Sequence, residues 1–211
     1  MAGSLTELAG LGPAEIARRL GAYRPERWRE PYPDGFFDRP PTPAAVLVPL
    51  ILGAAGPEVL FIRRACHPAD RHSGQVAFPG GRIDAGDADA CAAALREAHE
   101  EVGLSPDDVT VLGALPEYRS VSNFVVRPWV GAVAPPFVPR PDAREVERVF
   151  TIPLAWLLDT RNFEVREHDL HDWGCRLPVV HFHDHDGEHL WGVSARIVLS
   201  LRAALLGGDA G

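Results

Sequence analysis

The sequence predicts an α/β protein in which a mixed sheet lies between helices. Compact runs of Val, Ile, Leu and Phe, punctuated by Gly and Pro, recur at 44–52, 59–63, 109–115 and 124–134. Two other segments, 90–102 and 194–206, instead carry apolar residues at helical spacing. The two kinds of segment are interleaved along the chain, which is the order of a layered α/β domain.

Residues 4–22 favour one or two short helices, the second entered at Pro13, where a missing N–H costs nothing in the first turn. Residues 25–43 are dense in proline, arginine and aromatics and read as an extended lead-in. This divides the chain into an N-terminal lead-in over 1–39 and a domain over 40–206. Ala44–Leu52 and Val59–Arg63 are predicted strands separated by the turn in GAAGPE, and Gln75–Phe78 is a short strand feeding Gly80-Gly81. After the helix at 90–102, strands are predicted near Val109–Leu115 and Phe124–Ala134, then a loop through Pro135-Pro136 and 139–142. A short helix over Ile152–Asp159 is entered through Pro153. Phe163–Glu167 and Pro178–His183 are strands, an Asp-Gly turn lies in His185–Glu188, and Leu190–Gly192 is its return strand. The last helix, Ser194–Leu206, places Ile197, Leu201 and Leu205 on one face.

The chemistry concentrates in GGRIDAGDADACAAALREAHEEVGL, residues 80–104. At helical spacing Cys91, Ala94, Leu95, Ala98 and Val102 form one apolar stripe, and Glu97, Glu100 and Glu101 share a different arc. Asp87 or Asp89 suits the N-cap, and Gly103 the left-handed position after the last turn. Like charges four residues apart destabilise a bare helix slightly. A hard divalent cation such as Mg²⁺ or Mn²⁺, which takes carboxylate oxygens, reverses that cost. A solvated acidic face also explains three glutamates; the glycine turn beside them favours cations held against a diphosphate.

This segment resembles the Nudix box, G-x5-E-x7-R-E-U-x-E-E-x-G-U with U aliphatic. Gly81, Arg96, Glu97, Glu100, Glu101, Gly103 and Leu104 stand in its positions. Asp87 replaces the first Glu, one extra residue lies between it and Arg96, and Ala98 takes the first aliphatic place. These departures, with the upstream run from Arg63 to Gly81 ending GQVAFPGG, resemble the coenzyme A pyrophosphatase-like subgroup. The likeness extends over about 40–205, through AAVLVPLIL (44–52), Tyr118, Asn123-Phe124, Glu145-Val146 and LWGVSA (190–195).

The resemblance implies a Nudix-type α/β/α sandwich and metal-dependent hydrolysis of a phosphoanhydride. It implies metal ligands at Glu97, Glu100, Glu101 and the Gly81 backbone, with Arg96 orienting a carboxylate. Glu100, Glu101, Arg96 and a loop base then carry catalysis; Glu145 is the candidate base, and Glu117 and Glu147 are its rivals. Arg63, Arg64, Arg71, His72 and Gln75 are the candidate substrate contacts, since guanidinium forks suit phosphates, and Ser73 could add a hydrogen bond. The implied substrate is coenzyme A or a derivative, giving 3′,5′-ADP and 4′-phosphopantetheine or its acyl form. Another nucleoside diphosphate derivative, such as ADP-ribose or NADH, and a non-catalytic nucleotide-binding module remain the alternatives.

A net charge of −8 argues against a nucleic-acid backbone as the main partner. Cys66, Cys91 and Cys175 have no metal-binding spacing and suit a reducing compartment. No apolar run is long enough to cross a bilayer and the N-terminus has no secretion-signal layout, so the expected location is the cytoplasm and no membrane partner is expected. A homodimer is left open. His181, His183 and His185 alternate, with His189 beyond the turn, a pattern that can gather a transition metal on one strand face. A hairpin with exposed histidines is the preferred reading. Trp173 and Trp191 are read as packing residues rather than a base-stacking platform.

Overall fold

The computed structural model describes residues 10–24, 32–66, 73–170 and 173–207. It is a mixed α/β sandwich. Strand β1 (Thr42–Gly53) runs through the middle of the main sheet and turns directly into β2 (Gly56–Arg64). The two strands pair only near their hairpin, where Leu50 faces Val59 and Gly53 faces Gly56. Beyond that they part, and a glycine-rich segment fills the gap. Its first strand, β3 (Val76–Ala77), pairs with β2, and its second, β4 (Gly80–Arg82), pairs with Ala44–Val46 of β1. The amide of Leu47 donates to the Pro79 carbonyl between them.

The helix α2 (Ala90–Val102) crosses one face of this sheet. Asp89 accepts from the Ala92 amide at its start, and Gly103 ends it at φ 72°. Strands β5 (Val109–Ala114), β6 (Tyr118–Arg119) and β7 (Phe124–Val133) follow. β7 lies parallel to β1 from Thr42↔Phe124 to Ile51↔Val133, while β5 and β6 pair antiparallel to β7. The far side of β2 is covered by β8 (Val146–Pro153), which leads into the single turn α3 (Leu154–Leu157). β9 (Phe163–Leu170) and β10 (Cys175–Phe182) form a separate two-stranded sheet, and α4 (Gly192–Leu206) closes the described chain.

Strand alternation sorts the core into two layers. Ala45 and Leu47 of β1 and Ile62 of β2 pack under Ala93, Ala94, Ala98 and Val102 of α2. Ala44, Val48 and Leu50 of β1 and Val59 and Phe61 of β2 face the other way. There they meet α4 and the first helix α1 (Pro13–Ala22), which buries Ile16 and Leu20.

Several expected boundaries move. The glycine turn is itself a strand, because Gly80 and Gly81 bring their backbone within pairing distance of β1. The segment before Pro153 is a strand rather than loop and helix. Its interior residues Glu147–Thr151 are exposed or half-buried, so it lacks the clean alternation of a half-buried strand. The expected helix over Ile152–Asp159 shrinks to four residues. The return strand at Leu190–Gly192 is a single bridge, His181↔Trp191, and α4 starts at Gly192 instead of Ser194. The proposed first short helix, before residue 10, and residues 25–31 of the 25–43 lead-in lie outside the described residues. Among the described residues no helix is long and apolar enough to cross a membrane.

Candidate active site

Both glycines of the turn are fixed by contacts that leave no room for a side chain. A Cβ on Gly80 would lie 2.5 Å from the Ala45 carbonyl oxygen and 2.6 Å from Val46 Cα. A Cβ on Gly81 would lie 2.5 Å from Glu97 Oε1. The turn is thus pressed between the central strand and the Glu97 carboxylate. The Gly80 amide donates to Glu101 Oε2 at 2.9 Å.

The three glutamates of α2 occupy different environments. Glu101 is only 2% exposed and belongs to the buried face with Ala94, Ala98 and Val102. Ala93 joins that face too, while Cys91 and Leu95, expected on the stripe, are half-buried. The Glu97 side chain is 16% exposed, and that of Glu100, at 57%, is in solvent. Burial pushes the Glu101 carboxyl up to about 7; the Gly80 amide and Arg64 oppose the rise, and the charges of Glu97 and Glu145 add to it. Glu97 is also raised, first by burial, against the pull of Arg96 and with repulsion from Glu100 and Glu145.

Arg96 ties the edge of this cluster together. Its Nε and Nη2 reach the two oxygens of Asp87 at 2.9 and 3.0 Å, and Nη1 reaches Glu97 Oε1 at 2.9 Å and Glu100 Oε2 at 3.0 Å. Nη2 also donates to the Arg82 carbonyl at 3.2 Å. Asp87 is therefore an arginine partner at the helix entrance, held well below the usual carboxylate range by Arg96 and by the Asp84 amide. Asp89, not Asp87, is the N-cap.

The remaining sequence candidates separate. Glu145 sits at the mouth of β8, exposed, with its carbonyl accepting from the Ala65 amide, and its charge acts on both Glu97 and Glu101. Glu117 instead pairs with Arg127, and Glu147 lies 3.9 Å from Arg63. Arg64 acts on Glu101, and its amide donates to the Gln75 carbonyl, which sets Gln75 beside Arg64. Arg63 points to the opposite sheet face. There its Nη2 meets Glu188 Oε1 at 3.0 Å, and Arg148 Nη1 meets the same oxygen at 2.7 Å. Alternation on β2 turns it away from α2, so the structure does not bring it together with Glu97 and Glu101. Arg71 and His72 lie outside the described residues.

A divalent cation fits the donor set on physical grounds. The buried Glu101 and partly buried Glu97 carboxylates repel each other and are raised by burial, with Arg96 and the Gly80 amide as partial compensation; a hard cation supplies the missing charge. In the arrangement described, Arg96 already bridges Glu97 and Glu100. Among the described residues no three His, Cys, Asp or Glu side chains surround one metal-sized point.

The histidines assemble differently from the expected alternating face. His181 is 6% exposed, and His183 is exposed beyond the end of β10. His181 Nε2 lies 2.9 Å from His168 Nε2, its Nδ1 lies 3.1 Å from His189 Nε2, and His189 Nδ1 lies 2.8 Å from Asp184 Oδ1. The His181 ring stacks on Trp191 at 5.5 Å, which makes Trp191 a packing residue. Both nitrogens of His181 are engaged by imidazoles. With Asp184 ionised, one set of neutral tautomers satisfies the whole chain, each ring donating toward Asp184. His168 carried no local sequence signal: it comes from the neighbouring strand β9, where it pairs with Leu177, and its ring reaches along the face to His181.

His181 is lowered to about 4, chiefly by burial, with Arg166, His168 and His189 adding and Glu164 opposing. Its ordinary value is 6.5, so between the two values the unfolded chain binds a proton that the folded chain does not. Stability is expected to fall as pH drops from about 6.5 and to have lost this contribution by about 4. Urea midpoints at pH 7.5 and 5 measure it, with His181→Phe, which keeps a ring against Trp191, flattening the slope. An unchanged slope would remove His181 as its source.

The sequence model of the NUDIX domain matches residues 41–184. The Uncharacterized Nudix hydrolase NudL of Enterobacter sp. (strain 638) is 39% identical over 163 residues, covering 75% of this chain and 80% of its own. Its namesake in Salmonella newport (strain SL254) is 40% identical over 159 residues, with the same coverage. The crystal structure of a MutT/nudix family protein from Enterococcus faecalis aligns at a TM-score of 0.48 and 14% identity, over 96% of this chain and 73% of that one. With a domain match over most of the chain and relatives at this identity, the chain belongs to the Nudix hydrolase family.

Proposed function

We propose that this chain is a cytoplasmic, metal-dependent diphosphatase that hydrolyses the phosphoanhydride of coenzyme A or its acyl derivatives, releasing 3′,5′-ADP and 4′-phosphopantetheine or its acyl form. The observation that carries the reading is the close fit of Gly80 and Gly81, the end of the GQVAFPGG segment, against Glu101 and Glu97. That fit sets two poorly compensated carboxylates beside a backbone stretch that a diphosphate can approach.

In this reading Glu97, Glu100 and Glu101 hold Mg²⁺ or Mn²⁺, which supplies charge neutralisation of the diphosphate and an acidified water. Arg96, braced by Asp87, fixes the rotamers of Glu97 and Glu100. Glu145 is the base: it takes the proton from water as the new P–O bond forms and the bridging P–O bond breaks. Arg64 faces the same cluster and offsets the charge of the bound diphosphate, and Gln75 borders the entry strand. The substrate is a small nucleotide; neither a nucleic acid nor a membrane enters the scheme.

A panel of coenzyme A, acetyl-coenzyme A, ADP-ribose, NADH and dinucleoside polyphosphates, with Mg²⁺ or Mn²⁺ and product identification, tests the proposal. The expected result is highest kcat/KM on a coenzyme A species, with 3′,5′-ADP as product. Preference for another diphosphate overturns the substrate, and nucleotide binding without turnover favours the non-catalytic module.

A further inference from the structure

The two-stranded ribbon of β9 and β10 has two outer edges, and they are finished differently. On β10 the Phe182 amide donates to the Leu190 carbonyl, so Phe182 turns its backbone away from β9. By strand alternation Val180, Pro178 and Arg176 turn theirs the same way. That edge is blunted: Pro178 has no N–H to offer, and Leu190 and Trp191 cover the end. On β9 the residues opposite these, Phe163, Val165, Glu167 and Asp169, direct their N–H and C=O groups outward. Among the described residues no strand pairs with them.

The β9 edge is also regular. It pairs with β10 over eight residues without a register shift, whereas the ladders of β5 and β8 are each interrupted by one. Glu164, Val165, Arg166 and Glu167 are all exposed, Val165 by 57%. A long, flat edge with an exposed β-branched residue is a template for another strand.

A second copy of β9 is complementary to it in one register. In an antiparallel pair, residues with outward backbone groups oppose one another, so a two-fold axis falls on a single residue. An axis at Glu164, Arg166, Glu167 or Asp169 sets that charge against its own copy. One at His168 sets Glu167 against Asp169, and one at Phe163 or Leu170 leaves almost no overlap. An axis at Val165 sets Val165 against itself and, on both sides of it, Glu164 of one copy against Arg166 of the other. Those two residues already form an ion pair within the chain at 2.7 Å, so the four charges alternate.

We infer that β9 is a self-recognition edge: two copies of this chain join antiparallel about Val165 into one four-stranded sheet, β10–β9–β9–β10. The pairing is closed, because it uses both open edges and leaves the Pro178 edges outside. A strand edge is small beside a standard interface, so the dimer is reversible, with a Kd of the order of micromolar.

Sedimentation velocity over a concentration series tests this with the wild type, Glu164→Arg and Arg166→Glu. The wild type should pass from monomer to dimer as concentration rises. Each variant sets like charges opposite one another twice and should dimerise about a hundredfold more weakly. Mixed in equal amounts, the two variants oppose Arg to Glu at both positions and should form a heterodimer at wild-type concentrations. Both substitutions lie on exposed side chains, and recovery in the mixture shows that the variants are folded. A wild type that stays monomeric leaves the edge to some other chain and overturns the inference. So do a dimer indifferent to both substitutions, a mixture that stays monomeric, and growth beyond the dimer.

Discussion

Glu101→Gln is expected to lower metal-dependent turnover by about a thousandfold or more while the fold persists, since it removes a charged ligand from a site whose chemistry rests on charge. The amide is isosteric and keeps an oxygen to accept the Gly80 N–H. Its effect on stability has a definite sign. The folded Glu101 carboxyl stands at about 7 against an ordinary 4.5, so the metal-free folded state holds a proton that the unfolded state has released. That contribution is fully present below about 4.5 and is lost as pH rises through about 7. Gln remains neutral, so at pH 8 without metal the variant should be more stable than the wild type, by up to roughly 3 kcal/mol. Mn²⁺ should reverse the order, because it binds the ionised wild type and stabilises it by mass action. Urea melts with Mn²⁺ and with chelator at pH 8, beside kcat, test both halves. Wild-type turnover in the variant would remove Glu101 from the chemistry, and a variant weaker than wild type in chelator would mean that the buried carboxylate is already compensated. The slope assigned to His181 runs the other way over an overlapping range, so the Glu101→Gln variant is also the background in which to see it alone.

Why Glu101 is the decisive glutamate was only partly legible in the sequence. The box spacing marks Glu97, Glu100 and Glu101 together, but at 100° per residue Glu101 lies beside Ala94 at the edge of the apolar stripe, Glu97 farther round and Glu100 farthest. Tertiary packing completes the division. β4 fills the gap between β1 and β2 and comes to rest on the last turns of α2, covering Glu101, crowding Glu97 and leaving Glu100 in solvent. Strands β1, β2 and β7 were legible because their β-branched runs are buried along most of their length. β8 was not: its Glu147 and Arg148 read as loop, and the acid that engages Arg148, Glu188, is remote in sequence. The same remoteness hid the commitment of Arg63. Strand parity, not the neighbouring motif, decides which face its guanidinium occupies, and here it lies beside Glu188.

Gly80→Ala and Gly81→Ala, adjacent and chemically identical substitutions, are expected to fail in opposite ways. The new methyl at position 80 would meet the Ala45 carbonyl and Val46 Cα, backbone atoms of a strand paired on both sides. Neither can give without breaking the pairing of β1 with β4 or β7, so the cost falls on the fold. A loss of about 3 kcal/mol or more in urea unfolding is expected, with activity lost only in proportion to the unfolded fraction or to a shifted turn. The methyl at position 81 would meet Glu97 Oε1, Cδ and Oε2, the far end of a flexible side chain. Glu97 can turn away at little cost to stability, within about 1 kcal/mol, because it is already destabilised by burial and by its neighbours. Displacing a ligand carboxylate by an ångström is costly for chemistry, so kcat should fall about a hundredfold or more with the melting curve almost unmoved. The two variants thus separate what the turn does for the sheet from what it does for the carboxylates. Full activity in Gly81→Ala would mean that Glu97 works from a position other than the one against the turn. Wild-type stability in Gly80→Ala would mean that β4 is not locked to β1, and the Gly80 amide would then lose its claim to hold Glu101 in place.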